Sequence, residues 1–141
     1  MSMLTGLGFM HAHGLVHCDV KLENILLASD SMHAVRLIDF GSCLTVNDDV
    51  NSYVQTRWYR APEVMLGHMW GSKVDMWGLG CVIAELYVGR PVFRGATVED
   101  VLGLQQALVG PIPPAMIEAS PFRAMYFTPV TDAPTQLYTI D

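Results

Sequence analysis

The segment that most constrains the fold is residues 73–88, which read KVDMWGLGCVIAELYV and are apolar almost all the way round. A helix without a polar face is typically buried, so we expect the rest of the chain to pack around this one. Asp75 lies inside the segment, and a buried carboxylate without partners is costly. The sequence therefore predicts a helical body whose central helix meets hydrogen-bond donors at Asp75.

Other segments show the apolar spacing and the end signals of helices. Gly14 is a plausible C-cap of the first one, and Thr97 is an N-cap candidate followed by acidic residues. Pro62 near its start and Gly67 just after its end mark a short helix between them. Further helices are thus predicted at 2–13, 61–66, 97–109 and 114–119, the last within a tail, 115–141, that is otherwise expected to be irregular.

Two short apolar runs, 25–27 and 35–38, flank a polar stretch and predict a small β-hairpin. Residues 39–60 are polar with little periodicity and predict a long loop, and loops of that length in compact domains are usually functional. The predicted fold class is mainly α with a small β-hairpin.

The amino-acid composition favours some classes of protein and disfavours some binding partners. The chain has 141 residues, the size of one domain, and is 51% hydrophobic but only 16% charged, as expected for a piece of a larger protein with apolar surface to cover. A net charge of −6 disfavours nucleic acid or an anionic membrane as partner.

Cys18, Cys43 and Cys81 lack metal-site spacing, so we expect reduced thiols in the cytoplasm or nucleus. No run is long enough for a membrane helix, and the start does not read as a signal peptide.

Three short strings stand in order: HCDVKLEN at 17–24, DFG at 39–41 and APE at 61–63. They resemble the catalytic loop, the metal-binding loop and the end of the activation segment of protein kinases. Each string alone is a weak signal. All three in order, with a hairpin between the first two and 19 residues between Gly41 and Ala61, are a strong one.

The resemblance extends beyond these strings. Residues 53–63, YVQTRWYRAPE, are similar to the CMGC group, which contains the cyclin-dependent, MAP and dual-specificity kinases. Cys18 stands where most kinases carry Arg, and His-Cys-Asp resembles the dual-specificity tyrosine-regulated (DYRK-like) kinases. The likeness runs from about residue 4 to about 127. It implies a protein-kinase-like fold, C-terminal lobe only, with 1–141 forming a partial kinase domain.

The resemblance also implies roles for the residues of the strings. Asp19 would orient the substrate hydroxyl and accept its proton, while Lys21 would lie near the γ-phosphate of ATP. Asn24 and Asp39 would hold Mg²⁺ through the hard oxygen ligands that this metal prefers. Gly41 would free the backbone to turn after the metal ligand. Taken singly, each of these residues is more typical of a turn, a cap, a surface charge or the core; the combination carries the functional interpretation.

Further residues are expected to support the site. By resemblance, His17 packs and hydrogen-bonds rather than acting as a base, and Thr56 bridges Asp19 and Lys21. Asp75 would cap amides of the catalytic loop. Glu63 would pair with an arginine far downstream, for which this chain offers no clear candidate. The remaining histidines share no ligand pattern and are expected at the surface or in caps: His11, His13, His33 and His68.

Tyr53 matches the tyrosine that such kinases phosphorylate on themselves. A phosphate there would add nearly two negative charges. Arg57 and Arg60 lie close enough in sequence to pair with it, since Arg suits bidentate phosphate binding. The alternative is that Tyr53 is one exposed loop aromatic among five tyrosines.

The sequence has no Gly-rich loop, no strand lysine and no helix glutamate, which belong to the N-terminal lobe of a kinase. That lobe is expected in the full-length protein. We therefore expect a serine/threonine or dual-specificity protein kinase that uses ATP and Mg²⁺ on protein substrates, while the 141 residues alone are inactive. A different class remains open, a non-catalytic kinase-like binding or decoy module. A nucleotide hydrolase of another fold is disfavoured because no G-x-x-x-x-G-K-[ST] string occurs.

Overall fold

The computed structural model describes residues 2–28, 34–45, 48, 53–129 and 138–140. Within these residues the chain forms six α-helices around a few short strand pairs. The helices are α1 (Met3–Ala12), α2 (Pro62–Met65), α3 (Lys73–Val88), α4 (Val98–Val109), α5 (Pro114–Glu118) and α6 (Arg123–Tyr126).

The end signals of the sequence account for most helix boundaries. Gly14 follows α1 with φ of 72°, in the left-handed region that a glycine adopts readily. Thr97 caps α4, accepting from the Asp100 amide while the Asp100 carboxylate accepts from the Thr97 amide, which is a capping box. α3 occupies the predicted range 73–88. The predictions of helices near 2–13, 61–66, 97–109 and 114–119 are confirmed to within one or two residues at each end.

The strands form antiparallel pairs. β2 (Ile25–Leu27) and β3 (Val35–Leu37) make the predicted hairpin, with Ile25 opposite Leu37. β1 (Leu15–Val16) pairs with β4 (Leu44–Thr45), and β5 (Phe127–Pro129) pairs with β6 (Tyr138–Ile140). The last two pairs were not predicted. The expectation of an irregular tail is wrong where α6, β5 and β6 form, because strands of two or three residues carry no measurable periodicity.

α3 is the centre of the packing, as its sequence predicts. Its inward residues are buried, among them Asp75, Gly78 and Leu79. A Cβ at Gly78 would lie 2.7 Å from the carbonyl oxygen of Val20, so only glycine lets α3 approach the catalytic loop this closely. The backbone that carries Asp19 therefore rests directly on the central helix.

One face of α3 departs from the prediction of burial on all sides. Ile83, Leu86 and Tyr87 are exposed, with Tyr87 at 93%. Part of the apolar surface implied by the composition thus lies on this outer face. In the described part of the chain, no helix is both long and apolar enough to cross a bilayer.

Candidate active site

The predicted catalytic residues meet in one hydrogen-bonded cluster. The Lys21 ammonium donates to the Asp19 carboxylate at 2.6 Å and to the Thr56 hydroxyl at 3.0 Å. Thr56 in turn donates to Asp19 through its hydroxyl at 2.7 Å and its amide at 3.1 Å. The bridge expected of Thr56 is therefore present, and it fixes Asp19 from two directions.

The surroundings of Asp19 determine its charge. Partial burial by itself would raise the pKa of this carboxyl, but the hydrogen bonds from Lys21 and Thr56 together outweigh it, and the pKa lies below its ordinary value. Asp19 is consequently ionised at neutral pH. An ionised carboxylate can accept a hydrogen bond from a hydroxyl group and orient its oxygen for attack.

Asn24 lies in the 3₁₀ turn Leu22–Asn24 and is buried. Its amide nitrogen donates to the backbone oxygen of Asp19 at 2.9 Å and to the Asp19 carboxylate at 3.1 Å. These bonds use the amide donors and leave the side-chain oxygen available as a ligand. Asn24 thus adjoins Asp19, and among the described residues no donor bonds its side-chain oxygen.

Asp75 connects the catalytic loop to α3. Its fully buried carboxylate accepts from the amides of His17 at 2.8 Å and Cys18 at 2.9 Å. His11 bonds the same carboxylate through Nε2 at 2.8 Å. The contact predicted for Asp75 is present, whereas the expectation that His11 is only a surface or cap residue is wrong. No local signal marks His11, because the fold brings it to Asp75 from 64 positions away.

The bend in the loop is also visible at Cys18, whose φ is 64°. Burial, followed by the nearby Asp75 charge, raises the pKa of the Cys18 thiol to about 12. The thiol is therefore protonated and unreactive at neutral pH, so Cys18 fills space beneath the catalytic loop.

His17 joins the catalytic loop to the metal-binding loop. Its Nε2 lies 3.1 Å from the Ile38 carbonyl oxygen, and its Nδ1 accepts from the Asp19 amide at 3.3 Å. These partners require the neutral tautomer with the proton on Nε2. The Phe40 ring packs edge-on, 5.3 Å from the His17 ring. Both ring nitrogens are engaged, in keeping with the packing role expected of His17.

The metal-binding loop turns at Asp39 rather than at Gly41. Asp39 has φ of 61°, in the left-handed region, whereas Gly41 is not among the described glycines with positive φ. The expectation that Gly41 supplies the turn is therefore wrong. The Asp39 carboxylate accepts from the Gly41 amide at 3.3 Å, and a Cβ on Gly41 would press against the same carboxylate oxygen at 3.2 Å. Glycine at 41 keeps room for this carboxylate.

The donor set fits magnesium and a polyphosphate. Mg²⁺ is usually held by one or two protein oxygens together with phosphates and water, which matches Asn24 and Asp39. In the described part of the chain, no group of three or more His, Cys, Asp or Glu side chains forms a metal centre by itself. A cleft of about 490 Å³, lined in part by Asp19, Gly41 and Thr56, lies beside these groups.

Tyr53 borders the same cleft and contacts Arg60. The Arg60 guanidinium donates to the Tyr53 hydroxyl at 2.6 Å and lies 3.9 Å from the centre of its ring. Arg57, which was expected to join Arg60 at this tyrosine, instead donates to the carbonyl oxygen of Ala96. One of the two predicted arginines therefore lies at Tyr53.

Glu63 lies in the first turn of α2, and among the described residues its carboxylate forms no ion pair, so its pairing with a downstream arginine stays a prediction.

Gln55 was not predicted as a site residue. It is buried, has φ of 69°, and its side chain hydrogen-bonds three backbone groups. Its sequence neighbourhood gives no sign of this.

Comparison with known proteins assigns the family. The protein kinase domain family matches residues 1–112. The chain is 39% identical over 140 residues to the serine/threonine-protein kinase ppk5 of Schizosaccharomyces pombe, covering 95% of this chain and 17% of that protein. It is 42% identical over 125 residues to a probable dual specificity protein kinase, a YAK1 homolog of Encephalitozoon cuniculi, covering 89% of this chain and 31% of that protein.

A human protein, dual specificity tyrosine-phosphorylation-regulated kinase 3, is 40% identical over 126 residues, covering 89% of this chain and 21% of the relative. The chain thus spans less than a third of the length of these three relatives. The names of the last two relatives agree with the resemblance to dual-specificity kinases that the sequence carries. On the match to the protein kinase domain over residues 1–112, the chain belongs to the protein kinase family.

Proposed function

We propose that the protein containing this chain is a serine/threonine kinase of the dual-specificity type, and that this chain is the C-terminal lobe of its kinase domain. The observation that carries the proposal is the Asp19 cluster, in which an ionised carboxylate is fixed by Lys21 at 2.6 Å and by Thr56 at 2.7 Å. Protein substrates and ATP are the proposed partners. The net charge of −6 favours neither nucleic acid nor an anionic membrane.

The roles of the residues follow from this geometry. Asp19 receives the hydrogen bond of a substrate serine or threonine hydroxyl and takes its proton as the oxygen becomes phosphorylated. Lys21 places positive charge beside that oxygen, and Asn24 and Asp39 supply the oxygen ligands for Mg²⁺. When bound, ATP with Mg²⁺ supplies the γ-phosphoryl group and the charge neutralisation that its transfer needs.

The proposed kinase activity requires a second lobe that covers the nucleotide. The 141 residues contain no G-x-G-x-x-G string, and Phe40 in the metal-binding loop is 54% exposed. An aromatic side chain so placed offers a contact surface to a lobe that closes over the nucleotide. The 141 residues alone are therefore expected to have no measurable kinase activity.

A fusion experiment tests these statements. The chain is assayed for phosphate transfer to a general kinase substrate, alone and joined to the nucleotide-binding lobe of the human relative. We expect transfer only in the joined form, and a loss of at least about 10²-fold with Asp19→Asn, since general-base positioning contributes this much. Transfer by the chain alone would disprove the lobe requirement. Activity of the joined Asp19→Asn protein equal to that of its parent would disprove the role of Asp19.

Regulation through Tyr53 is a further part of the proposal. Arg60 lies 2.6 Å from the Tyr53 hydroxyl, so a phosphate on that oxygen would meet a buried guanidinium without a large rearrangement. Mass spectrometry of the joined protein after incubation with ATP should find phosphate on Tyr53. Tyr53→Phe should lower substrate phosphorylation, with Tyr87→Phe, at a tyrosine that is 93% exposed, as the control. An unmodified Tyr53 in an active protein would refute this regulation.

The exposed outer face of α3 favours a second candidate function, a non-catalytic module that binds kinase substrates. Ile83, Leu86 and Tyr87 offer apolar surface that needs no nucleotide. This candidate predicts that the immobilised chain captures substrates of the human relative, and that Asp19→Asn captures them equally well without phosphorylating them. Capture that depends on an intact Asp19 would count against it.

We also propose that the protein resides in the cytoplasm, the nucleus or both. Cys18, Cys43 and Cys81 are free thiols in the structure, as expected for a reducing compartment. Fractionation of the source cells followed by immunoblotting checks this, and recovery in a secreted fraction would contradict it.

A further inference from the structure

Gln55 combines an unfavourable backbone conformation with a fully used side chain. Its φ of 69° lies in the left-handed region, which residues with a Cβ rarely adopt, and it is only 8% exposed. Strained backbone held by surrounding structure is a reason to look for a function. The residue lines the cleft next to Asp19, which places it beside the proposed chemistry.

The side chain of Gln55 uses every donor it has. Its Nε2 donates to the carbonyl oxygens of Val74 at 2.8 Å and Tyr59 at 3.2 Å, and its Oε1 accepts from the amide of Ala61 at 2.8 Å. A primary amide has two donors and one acceptor oxygen, so these three partners also fix which end is nitrogen. Glutamate would lack the donors, and methionine would lack all three bonds.

These bonds determine the direction of one peptide group. The backbone oxygen of Gln55 accepts from the Arg60 guanidinium at 2.5 Å, and the next amide, that of Thr56, donates to Asp19 at 3.1 Å. Both groups belong to the single plane that joins Gln55 to Thr56. The left-handed turn at Gln55 therefore directs the carbonyl oxygen of this peptide toward Arg60 and its N–H group toward the carboxylate of Asp19.

We propose that Gln55 is a positioning residue, whose carboxamide holds the Gln55–Thr56 peptide so that Thr56 fixes Asp19 and Arg60 is tied to the same plane. Its meaning for catalysis rests on the proposed kinase function. The positioning itself does not, because it concerns contacts that exist without nucleotide or substrate.

The test measures how firmly the Thr56 amide is held on Asp19 in the 141-residue chain. That amide donates to the Asp19 carboxylate at 3.1 Å, so its proton should exchange slowly with solvent. In hydrogen-exchange NMR at fixed pH, Gln55→Met should speed exchange of the Thr56 amide at least about tenfold relative to the amide of Val82, which is buried in α3. Gln55→Glu, which keeps one acceptor and loses both donors, should speed it as well.

Gln105→Met is the matched control. Gln105 is equally buried and donates to the Arg60 carbonyl oxygen at 2.9 Å, but it has no contact with the peptide that binds Asp19. It should destabilise the chain without changing exchange of the Thr56 amide relative to that of Val82. An equal change in both methionine variants, or no change in Gln55→Met, would overturn the proposal.

A measurement on the unchanged chain covers the case in which Gln55→Met does not fold. Both carboxamide protons of Gln55 should exchange with solvent at least about tenfold more slowly than those of half-buried Gln106, because both are bonded and buried. Equal exchange rates would show that the side chain does not hold this peptide and would refute the proposal. Since no catalysis is measured, either result is independent of whether the kinase function holds.

Discussion

The catalytic loop and the metal-binding loop face the same cleft but are held in different ways. The catalytic loop is bonded to the fully buried carboxylate of Asp75, 57 and 58 positions further along the chain. The metal-binding loop is exposed, and the Asp39 carboxylate bonds an amide of its own turn at 3.3 Å. The half of the site that contains Asp19 is therefore anchored to the buried core. The half that contains Asp39 is held by contacts within its own turn and with His17.

The largest expected effect comes from removing the buried anchor. Asp75→Ala deprives the amides of His17 and Cys18 of their acceptor, and we expect it to cost about 3–5 kcal/mol of unfolding free energy. Asp39→Ala, in the exposed loop, should change the same quantity by less than about 1 kcal/mol. Urea denaturation of both variants checks the contrast, and similar costs would show that the two loops are held alike.

A second test concerns the contact between the central helix and the catalytic loop. Gly78→Ala brings a methyl group to 2.7 Å from the Val20 carbonyl oxygen and should destabilise the chain by about 1–3 kcal/mol. Gly80 lies in the same helix, but a methyl group there would meet no neighbouring atom within 4 Å. Gly80→Ala should therefore be neutral or stabilise the chain by up to about 1 kcal/mol. Thermal unfolding distinguishes them. A tolerated Gly78→Ala would mean that the catalytic loop can move away from α3.

The stability of the Asp19 half of the site should depend on pH. The pKa of Asp19 is lower in the folded chain, because Lys21 and Thr56 outweigh the effect of burial. The resulting stabilisation is complete above the unfolded pKa of about 3.9 and is lost as the pH falls through the folded value. Thr56→Val should therefore cost about 1 kcal/mol at pH 7 and less below about pH 4. A cost that does not change between about pH 7 and pH 3 would contradict the charged hydrogen bond.

The smallest effect is expected in the metal-binding loop. Phe40 is half exposed and makes an edge contact with His17, so Phe40→Ala should cost about 1 kcal/mol or less. Phe93, a buried ring stacked on Trp77, is the matched control, and Phe93→Ala should cost about 3–5 kcal/mol. If Phe40→Ala approached that value, the metal-binding loop would be part of the stable core.

Sequence patterns predicted the elements that have a period or a terminal signal. α3 was located from its apolar run, α4 from Thr97, and the hairpin from two runs around a polar stretch. The motif order predicted that Asp19, Lys21, Thr56 and Asn24 would gather, and the structure brings them together.

What the sequence did not reveal depends on long-range packing or on backbone geometry. The pairing of β1 with β4 involves two residues on each side, too few for an alternating pattern. His11 and Gln55 acquire their partners only when distant segments meet, and the left-handed turn falls on Asp39 although a glycine stands two positions further on. The exposed outer face of α3 is no less apolar than its buried face, which includes Asp75 and Glu85, so composition could not tell the two faces apart.

The long separation between Asp75 and the loop that it anchors has a consequence for biosynthesis. A ribosome adds about 5–20 residues per second, so roughly 3–12 s pass between synthesis of His17 and Cys18 and synthesis of Asp75, which accepts their amide hydrogen bonds. The catalytic motif is thus made early and assembled late. A nascent chain that stalls before α3 contains every residue of the catalytic loop but lacks the Asp75 carboxylate around which that loop folds.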